Sequence, residues 1–299
     1  MTGATGFLGQ RLVARLLAQG WQVCALTHRR PLPEKFQNGG VASVAASESE
    51  KIREAISECG VLFHLAAYIP PSLGDWKQAA ACFQANAQFT LELAELEVEC
   101  GSPRMVYFSS AQGYRYSSSA VTEEAAVFPS SRATYYLASK LLGEIYLEHA
   151  RLLRDLPAIT LRVGSCYGSG MPENSVVSRF MSRAGQGLPL EVWDGGIPTC
   201  DYVYADDVID LAVAAVAKKQ TGIFNAGTGK ASSLLELAET VKTIFREKNI
   251  LIEVKPQGQT VPASFPPLSV AKAFEALGYR PKSLSEGLAA YRLEMEETP

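Results

Sequence analysis

The stretch Gly3-Ala4-Thr5-Gly6-Phe7-Leu8-Gly9 decides the fold, because three glycines recur at intervals of three residues. Gly3 permits a tight turn, Gly6 lets a phosphate approach the backbone, and Gly9 lets a helix pack closely. Apolar residues at helical spacing follow, which predicts a helix that begins directly after the turn. The free N–H groups and the positive dipole end at the start of this helix face the turn. Packing alone also produces such a pattern, but an anion site is the stronger hypothesis. The candidate residues for binding a dinucleotide pyrophosphate are Gly3, Thr5, Gly6, Phe7, Leu8 and Gly9.

Strand and helix patterns alternate after this turn. Apolar strands are predicted at residues 21–27, 61–65, 105–109 and 159–163, and helices at 52–59, 76–100 and 134–153. This alternation predicts an α/β fold with a doubly wound, parallel, Rossmann-type sheet. We assign residues 1–165 to a dinucleotide-binding domain, and we expect the chain to return to this domain near residues 201–228. The loop-rich segments 166–200 and 229–299 are assigned to a smaller C-terminal substrate-binding lobe.

A dinucleotide fold needs a strand before its first glycine turn, because that strand aims the turn at the cofactor. Here only Met1 and Thr2 precede Gly3. The first strand of the sheet is therefore predicted to be truncated, and we expect the true start to lie upstream of Met1.

Composition narrows the function classes. The chain has 299 residues, of which 47% are hydrophobic, so a large core is available. The net charge is -3 with no long basic run, which argues against nucleic acid as a partner. No apolar run reaches membrane-spanning length, so no membrane partner is expected and the cytoplasmic compartment is the default. A small-molecule substrate remains the expected partner.

A serine, a tyrosine and a lysine form the candidate catalytic set. Tyr136 and Lys140 are one helical turn apart and share a helix face. An ammonium beside a phenol stabilises phenolate and lowers the pKa of the phenol. Ser110 follows a strand, where it can orient a substrate oxygen. A bare Y-x-x-x-K pair is common on helix surfaces, but its order after the glycine turn and Ser110 favours catalysis.

The end of the second strand predicts which cofactor is bound. An acidic residue there would bind the ribose hydroxyls of NAD, whereas this chain has His28, Arg29 and Arg30. Guanidinium groups favour a 2′-phosphate, so NADP is expected and NAD is less favoured. The alternative is that the two arginines are a solvated loop pair.

The segment His64-Leu65-Ala66-Ala67 follows an apolar strand. Leu65, Ala66 and Ala67 are candidate cofactor-binding residues, because two alanines allow close approach. We interpret His64 as a packed supporting residue rather than a catalyst. The histidines have no metal-ligand spacing, so no metal site is predicted.

These motifs resemble the extended short-chain dehydrogenase/reductase superfamily, in particular its NAD(P)-dependent epimerase/dehydratase family. Besides the segments above, the resemblance extends over Asn86 with Thr90, Ser110-Ala111-Gln112-Gly113-Tyr114, Leu161-Arg162, Tyr167-Gly168, Asp201-Tyr202-Val203-Tyr204-Ala205-Asp206-Asp207-Val208 and Leu277-Gly278-Tyr279-Arg280-Pro281. It implies hydride transfer on a sugar or ketone, Tyr136 as acid/base, and Asn86, Tyr136 and Lys140 near the cofactor. It also implies a homodimer packed through helices near residues 76–100 and 134–153.

Two departures bear on the substrate. Cys200 stands where many nucleotide-sugar members carry an arginine, and residues 256–267 lack an expected basic residue. Both changes weaken the case for a diphosphate-linked sugar. Epimerase and reductase remain about equally favoured. A dehydratase is less favoured, because Ala111 and Gln112 stand where acid/base carboxylates are expected. The alternative from another class is a non-catalytic NADP(H)-binding sensor or scaffold.

Overall fold

A computed structural model of the chain describes residues 1–72, 74–101, 104–128, 133–256 and 264–297. The chain divides into two compact units. The first unit comprises Met1–Gly113, Val127–Arg162 and Ile209–Phe224. The second unit comprises Tyr114–Ala126, Val163–Val208 and Asn225–Pro299.

Helices and strands alternate through both units. The helices are α1 Phe7–Ala18, α2 Glu34–Gln37, α3 Ser49–Glu58, α4 Ala79–Cys82, α5 Phe89–Cys100, α6 Thr134–Leu153, α7 Val176–Gly185, α8 Ala205–Ala217, α9 Leu234–Ile244, α10 Ala271–Leu277 and α11 Leu284–Glu297. The strands are β1 Cys24–Thr27, β2 Ala42–Ala45, β3 Leu62–His64, β4 Met105–Ser110, β5 Ala158–Val163, β6 Ser165–Tyr167, β7 Leu190–Val192, β8 Thr199–Tyr204, β9 Gly222–Ala226, β10 Ala231–Ser233 and β11 Ile252–Val254.

The first unit carries the predicted sheet. Four strands lie in the order β3-β4-β5-β9, and β1 pairs with β2 beside them. The β1–β2 and β3–β4 pairs are both parallel. Thr2 makes parallel bridges to Leu26 of β1 and His64 of β3, and so links the two groups of strands. The predicted α/β architecture with a parallel sheet is confirmed.

The core of the first unit forms between this sheet and its helices. Met105, Val106, Tyr107 and Phe108 of β4 are all buried, as expected for a strand covered on both faces. One apolar cluster joins Leu62, Met105 and Tyr107 of the sheet to residues of α3, α5 and α6. This core fixes the carboxyl ends of β3 and β4, where candidate site residues lie.

The helix predicted over residues 76–100 is interrupted, whereas the helix predicted over 134–153 is confirmed as α6. A 3-10 turn over Trp76–Gln78 leads into α4, and a π-helical turn over Phe83–Gln88 separates α4 from α5. Asn86 lies inside the π turn and is fully buried. The sequence pattern predicted one continuous helix here and gave no signal for the π turn.

The second unit contains two small sheets and its own core. Strand β8 lies between β10 and β6, and β11 pairs with β7. Tyr167, Phe180, Met181 and Leu237 are among the buried side chains of its cluster. This unit is rich in short elements, such as β6, β7, β10 and β11.

No helix among the described residues is long and apolar enough to cross a membrane.

Candidate active site

The glycine turn is built by close backbone contacts. Gly3 has a φ of +72°, and a Cβ on it would lie 2.6 Å from the Ala66 nitrogen. A Cβ on Gly9 would overlap the carbonyl oxygen of Gly3. The Gly6 N–H donates to that same carbonyl at 3.0 Å. Both outer glycines are therefore required by contacts that no side chain would permit.

The glycine turn lies directly against the loop after β3. Besides the contact between Gly3 and Ala66, the Ala66 N–H donates to Thr2 Oγ1 at 3.1 Å. The structure therefore brings together two segments that the sequence assigned to the cofactor, the glycine turn and Leu65–Ala67. Leu65 and Ala66 are half-buried, and Ala67 is exposed.

This geometry fits a dinucleotide phosphate. Helix α1 begins at Phe7, and its N-cap Gly6 makes no side-chain capping bond. The N–H groups of the first helical turn and the positive dipole end therefore lie beside a turn in which Gly3, Gly6 and Gly9 carry no side chains. Any Cβ at Gly3 or Gly9 would collide with backbone atoms, which explains why glycines occupy both positions.

His28, Arg29 and Arg30 follow the carboxyl end of β1 and are exposed. Strand β1 bridges through Leu26 to Thr2, which immediately precedes the glycine turn. The two arginines are thus at the same sheet edge as the turn. Their role in selecting the cofactor stays a prediction.

The three candidate catalytic residues lie in the first unit. Ser110 is the last residue of β4 and is half-buried, and its Oγ accepts from the Gln112 N–H at 3.3 Å. Tyr136 lies in the first turn of α6 and is half-buried. Lys140 lies one turn further along α6 and is buried. The Lys140 Nζ packs 4.1 Å from the centre of the Tyr107 ring.

Burial governs the protonation of this pair. It raises the pKa of the Tyr136 phenol to about 12. It also lowers the pKa of the Lys140 ammonium to about 7, against an opposing effect of Glu144. The sequence predicted a lowered phenol pKa, and the structure corrects that prediction. Desolvation is the largest influence on the pKa of each group.

Sequence reasoning missed a buried acid next to Lys140. Glu144 accepts from Arg162 Nε at 2.9 Å and Nη2 at 2.8 Å, and from the Ser109 hydroxyl. The side chains of Lys140, Glu144, Arg162 and Ser109 are all buried. The signal was present in the sequence, because Tyr136, Lys140 and Glu144 are spaced four residues apart on one helix face.

Asn86 ties the loop after β3 to helix α6. Its Oδ1 accepts from the Tyr68 N–H at 2.6 Å, and its Nδ2 donates to Tyr68 O and Ser139 Oγ. The Ser139 hydroxyl donates to the Tyr136 carbonyl at 2.7 Å. Both N–H groups of the Asn86 amide are thus engaged within the protein. Its predicted contact with cofactor stays a prediction.

In the second unit, Asp201 is a structural anchor. Its carboxylate accepts from the backbone N–H groups of Thr228, Gly229 and Leu268 and from the Thr228 hydroxyl. Cys200 precedes it in β8 and is half-buried. Residues 257–263, part of the segment predicted to lack a substrate-binding cation, lie outside the described residues.

Comparisons with known proteins identify the family of this chain. The sequence profile of the NAD dependent epimerase/dehydratase family matches residues 1–227. The chain is 31% identical to a UDP-glucose 4-epimerase of Mycolicibacterium smegmatis, over 97% of this chain and 95% of the relative. It is 26% identical to a dTDP-6-deoxy-L-talose 4-dehydrogenase (NAD(P)(+)) of Kitasatospora kifunensis, over 94% and 89%. The crystal structure of a Thermus thermophilus UDP-glucose 4-epimerase in complex with NAD matches with a TM-score of 0.83 and 26% identity, over 100% and 98%.

Proposed function

Because the chain belongs to the NAD-dependent epimerase/dehydratase family, we propose that this enzyme oxidises and reduces a hydroxyl-bearing carbon of a nucleotide-linked sugar. Epimerisation is the leading reaction, because the UDP-glucose 4-epimerase relative matches over nearly its whole length. The observation that carries the proposal is the glycine turn, whose close backbone contacts at Gly3 and Gly9 admit no side chain, in the same unit as Ser110, Tyr136 and Lys140.

The protein residues have separate roles in this proposal. A bound nicotinamide dinucleotide supplies the hydride acceptor and donor. The glycine turn and the first turn of α1 hold its phosphates through backbone N–H groups. Ser110 Oγ hydrogen-bonds the reacting oxygen of the sugar and orients it. Tyr136 Oη exchanges a proton with that oxygen.

The pKa shifts support a specific division of labour. With a pKa of about 12, the Tyr136 phenol is protonated at neutral pH and can donate to a developing alkoxide. To act as a base it needs a nearby positive charge, which Lys140 supplies when protonated. A Lys140 pKa of about 7 makes this charge sensitive to pH in the physiological range.

We further propose a preference for NADP over NAD. The support is the position of Arg29 and Arg30 after β1, together with the absence of an acid from that sequence segment. Fluorescence titration of NADPH and NADH tests it. The variant Arg29→Ala/Arg30→Ala should lose about tenfold in affinity for NADPH and little for NADH. Equal affinity of the wild-type chain for both cofactors would contradict the preference.

A reductase is the second candidate, since a 2′-phosphate contact by the arginines favours consumption of NADPH. The experiment incubates the purified chain with UDP-glucose, UDP-galactose and a dTDP-linked 4-keto sugar, and follows products by NMR. Conversion of a UDP-sugar without net change in cofactor supports the epimerase. Stoichiometric oxidation of NADPH with the keto sugar supports the reductase. The sensor alternative predicts cofactor binding with neither reaction.

A homodimer is also part of the proposal. Exposed apolar side chains on α6 and near α4 support it: Trp76, Phe83, Ile145, Leu152 and Leu153. Analytical ultracentrifugation should find a dimer that Leu152→Glu converts to monomer. A wild-type chain that sediments as a monomer would contradict this part of the proposal.

A further inference from the structure

His64 ends β3 and is fully buried. Its Nδ1 lies 2.7 Å from Thr2 Oγ1, and its Nε2 lies 2.9 Å from Thr90 Oγ1. Both ring nitrogens therefore have hydroxyl partners. A hydroxyl both donates and accepts, so the protonated nitrogen is identified by the other bonds of the two threonines.

Thr90 identifies the protonated nitrogen. Its Oγ1 lies 2.5 Å from the carbonyl oxygen of Asn86. A carbonyl oxygen has no proton, so the Thr90 hydroxyl must donate to it. The Thr90 oxygen can then only accept from His64, which requires a proton on His64 Nε2.

Thr2 completes the assignment on the other side of the ring. With the single imidazole proton on Nε2, Nδ1 is an acceptor and the Thr2 hydroxyl donates to it. The Thr2 oxygen then accepts from the Ala66 N–H at 3.1 Å. Every donor and acceptor in this chain of bonds is satisfied by one arrangement of protons.

The surroundings keep the ring neutral. Burial lowers the pKa of His64 well below its ordinary value, and Lys140 and the amino group of Met1 lower it further. The ring stacks on Tyr107 with centroids 5.4 Å apart. A neutral imidazole with one fixed tautomer is consistent with all these neighbours.

The chain of bonds joins two parts of the candidate site. It begins at Ala66, in the loop against the glycine turn, and ends at the Asn86 carbonyl in the π turn. The Asn86 side chain continues to Ser139, whose hydroxyl bonds the carbonyl of Tyr136. The route from Ala66 to the catalytic helix passes through His64, whereas Tyr68 further along the same loop reaches that helix through Asn86 directly.

We propose that His64 is a positioning residue, a neutral Nε2-protonated imidazole that fixes the Ala66 loop relative to the π turn and the helix of Tyr136. This inference rests on the proposed function, which assigns the Ala66 loop to the cofactor. It assigns to His64 no contact with the reacting atoms.

The tautomer is tested by nitrogen NMR of the protein labelled with ¹⁵N-histidine. The sequence contains three histidines, His28, His64 and His149, so His28→Gln and His149→Gln variants complete the assignment. His64 should show the Nε2–H tautomer, unchanged between about pH 6 and 8, in line with its lowered pKa. An Nδ1–H tautomer, or titration of His64 in this range, would overturn the proposal.

A double-mutant cycle on NADPH affinity tests whether the hydrogen-bond chain through His64 is coupled to cofactor binding. Thr2→Val and Thr90→Val keep the shape of each side chain and remove the hydroxyl. Each should weaken NADPH binding about tenfold, and the double variant should lose little more, because either change breaks the same chain. Unchanged affinity in both single variants, or fully additive losses, would overturn the proposal.

Controls separate positioning from loss of fold and from failure of the proposed function. Thr2→Ser and Thr90→Ser retain the hydroxyls and should restore wild-type affinity. Thr160→Val removes a hydroxyl from another buried threonine of this unit and should leave affinity unchanged. A wild-type chain that binds neither NADPH nor NADH would contradict the proposed function and this coupling together. If the wild-type chain binds NADPH and both valine variants bind it equally well, only the positioning role of His64 would be contradicted.

Discussion

The Lys140 ammonium lies 4.1 Å from the centre of the Tyr107 ring, and the Tyr107 hydroxyl donates to the Lys140 carbonyl at 3.2 Å. The lysine that the sequence pairs with Tyr136 is thus also fixed on the sheet by a neighbouring aromatic ring. A cation over an aromatic face is attracted to it, but this attraction only partly offsets the burial of the charge.

The stability of the chain should depend on pH through Lys140. The unfolded lysine keeps its proton up to its ordinary pKa of 10.5, whereas the folded one releases it near 7. Stability should therefore rise with pH between these values, and the penalty is greatest below pH 7. Relative to Lys140→Met, the wild-type chain should gain about 2 kcal/mol from pH 6 to pH 9 in urea unfolding. If the difference in unfolding free energy between the wild-type chain and Lys140→Met were the same at both pH values, burial would not have lowered the pKa of Lys140.

Two glutamates on α6 offer a matched test of the buried ion pair. Glu144 and Arg162 are both buried, whereas Glu148 and Arg151 form a partly exposed pair. Glu144→Gln should lower the free energy of unfolding by about 3–5 kcal/mol, because the buried Arg162 would lose the negative charge of Glu144. Glu148→Gln should cost less than about 1 kcal/mol. Equal costs in chemical denaturation would show that burial of Glu144 is not the deciding factor.

Glu97 of α5 should destabilise the fold at alkaline pH. It is fully buried, and within the described residues neither carboxylate oxygen has a hydrogen-bond partner. Burial raises its pKa from 4.5 to about 8. The unfolded chain releases this proton near pH 4.5 and the folded chain near 8, so stability falls as pH rises through that interval.

Glu97→Gln removes this titration. At pH 8.5 the variant should be more stable than the wild-type chain by on the order of 2 kcal/mol, with a difference below about 1 kcal/mol at pH 5. Glu95→Gln, on the exposed part of the same helix, serves as the control and should change little at either pH. Thermal unfolding at both pH values measures the stability of each variant. If Glu97→Gln were less stable than the wild-type chain at pH 8.5, the raised pKa of Glu97 would be refuted.

The glycine turn provides a further prediction. Gly9→Ala would place a methyl group on the Gly3 carbonyl and should destabilise the chain by about 2 kcal/mol or more and abolish NADPH binding. Gly60→Ala is a matched control, because a Cβ there meets no atom within 4 Å. It should change stability by less than about 1 kcal/mol. Normal binding by Gly9→Ala would mean that the turn does not hold the cofactor.

The sequence predicted the fold well because its signals are local. Helix α6 has the predicted bounds, and the spacing of the three glycines predicted a turn that the contacts of Gly3 and Gly9 explain. The π turn at Asn86 was not predicted, and the hydrogen bonds of the Asn86 side chain inside it are made to Tyr68 and Ser139, which are distant in sequence. The pKa of Tyr136 was mispredicted for a related reason, since desolvation depends on tertiary packing.

We propose that Tyr136 performs proton transfer beside a cofactor held by the glycine turn. The most direct test compares the wild-type chain with Tyr136→Phe, measuring turnover of UDP-glucose and UDP-galactose by NMR and NADPH affinity by fluorescence. We predict that the variant loses on the order of 10²–10⁴ in turnover and keeps its cofactor affinity within about twofold. Turnover retained by Tyr136→Phe, under conditions where the wild-type chain is active, would show that Tyr136 does not transfer the proton.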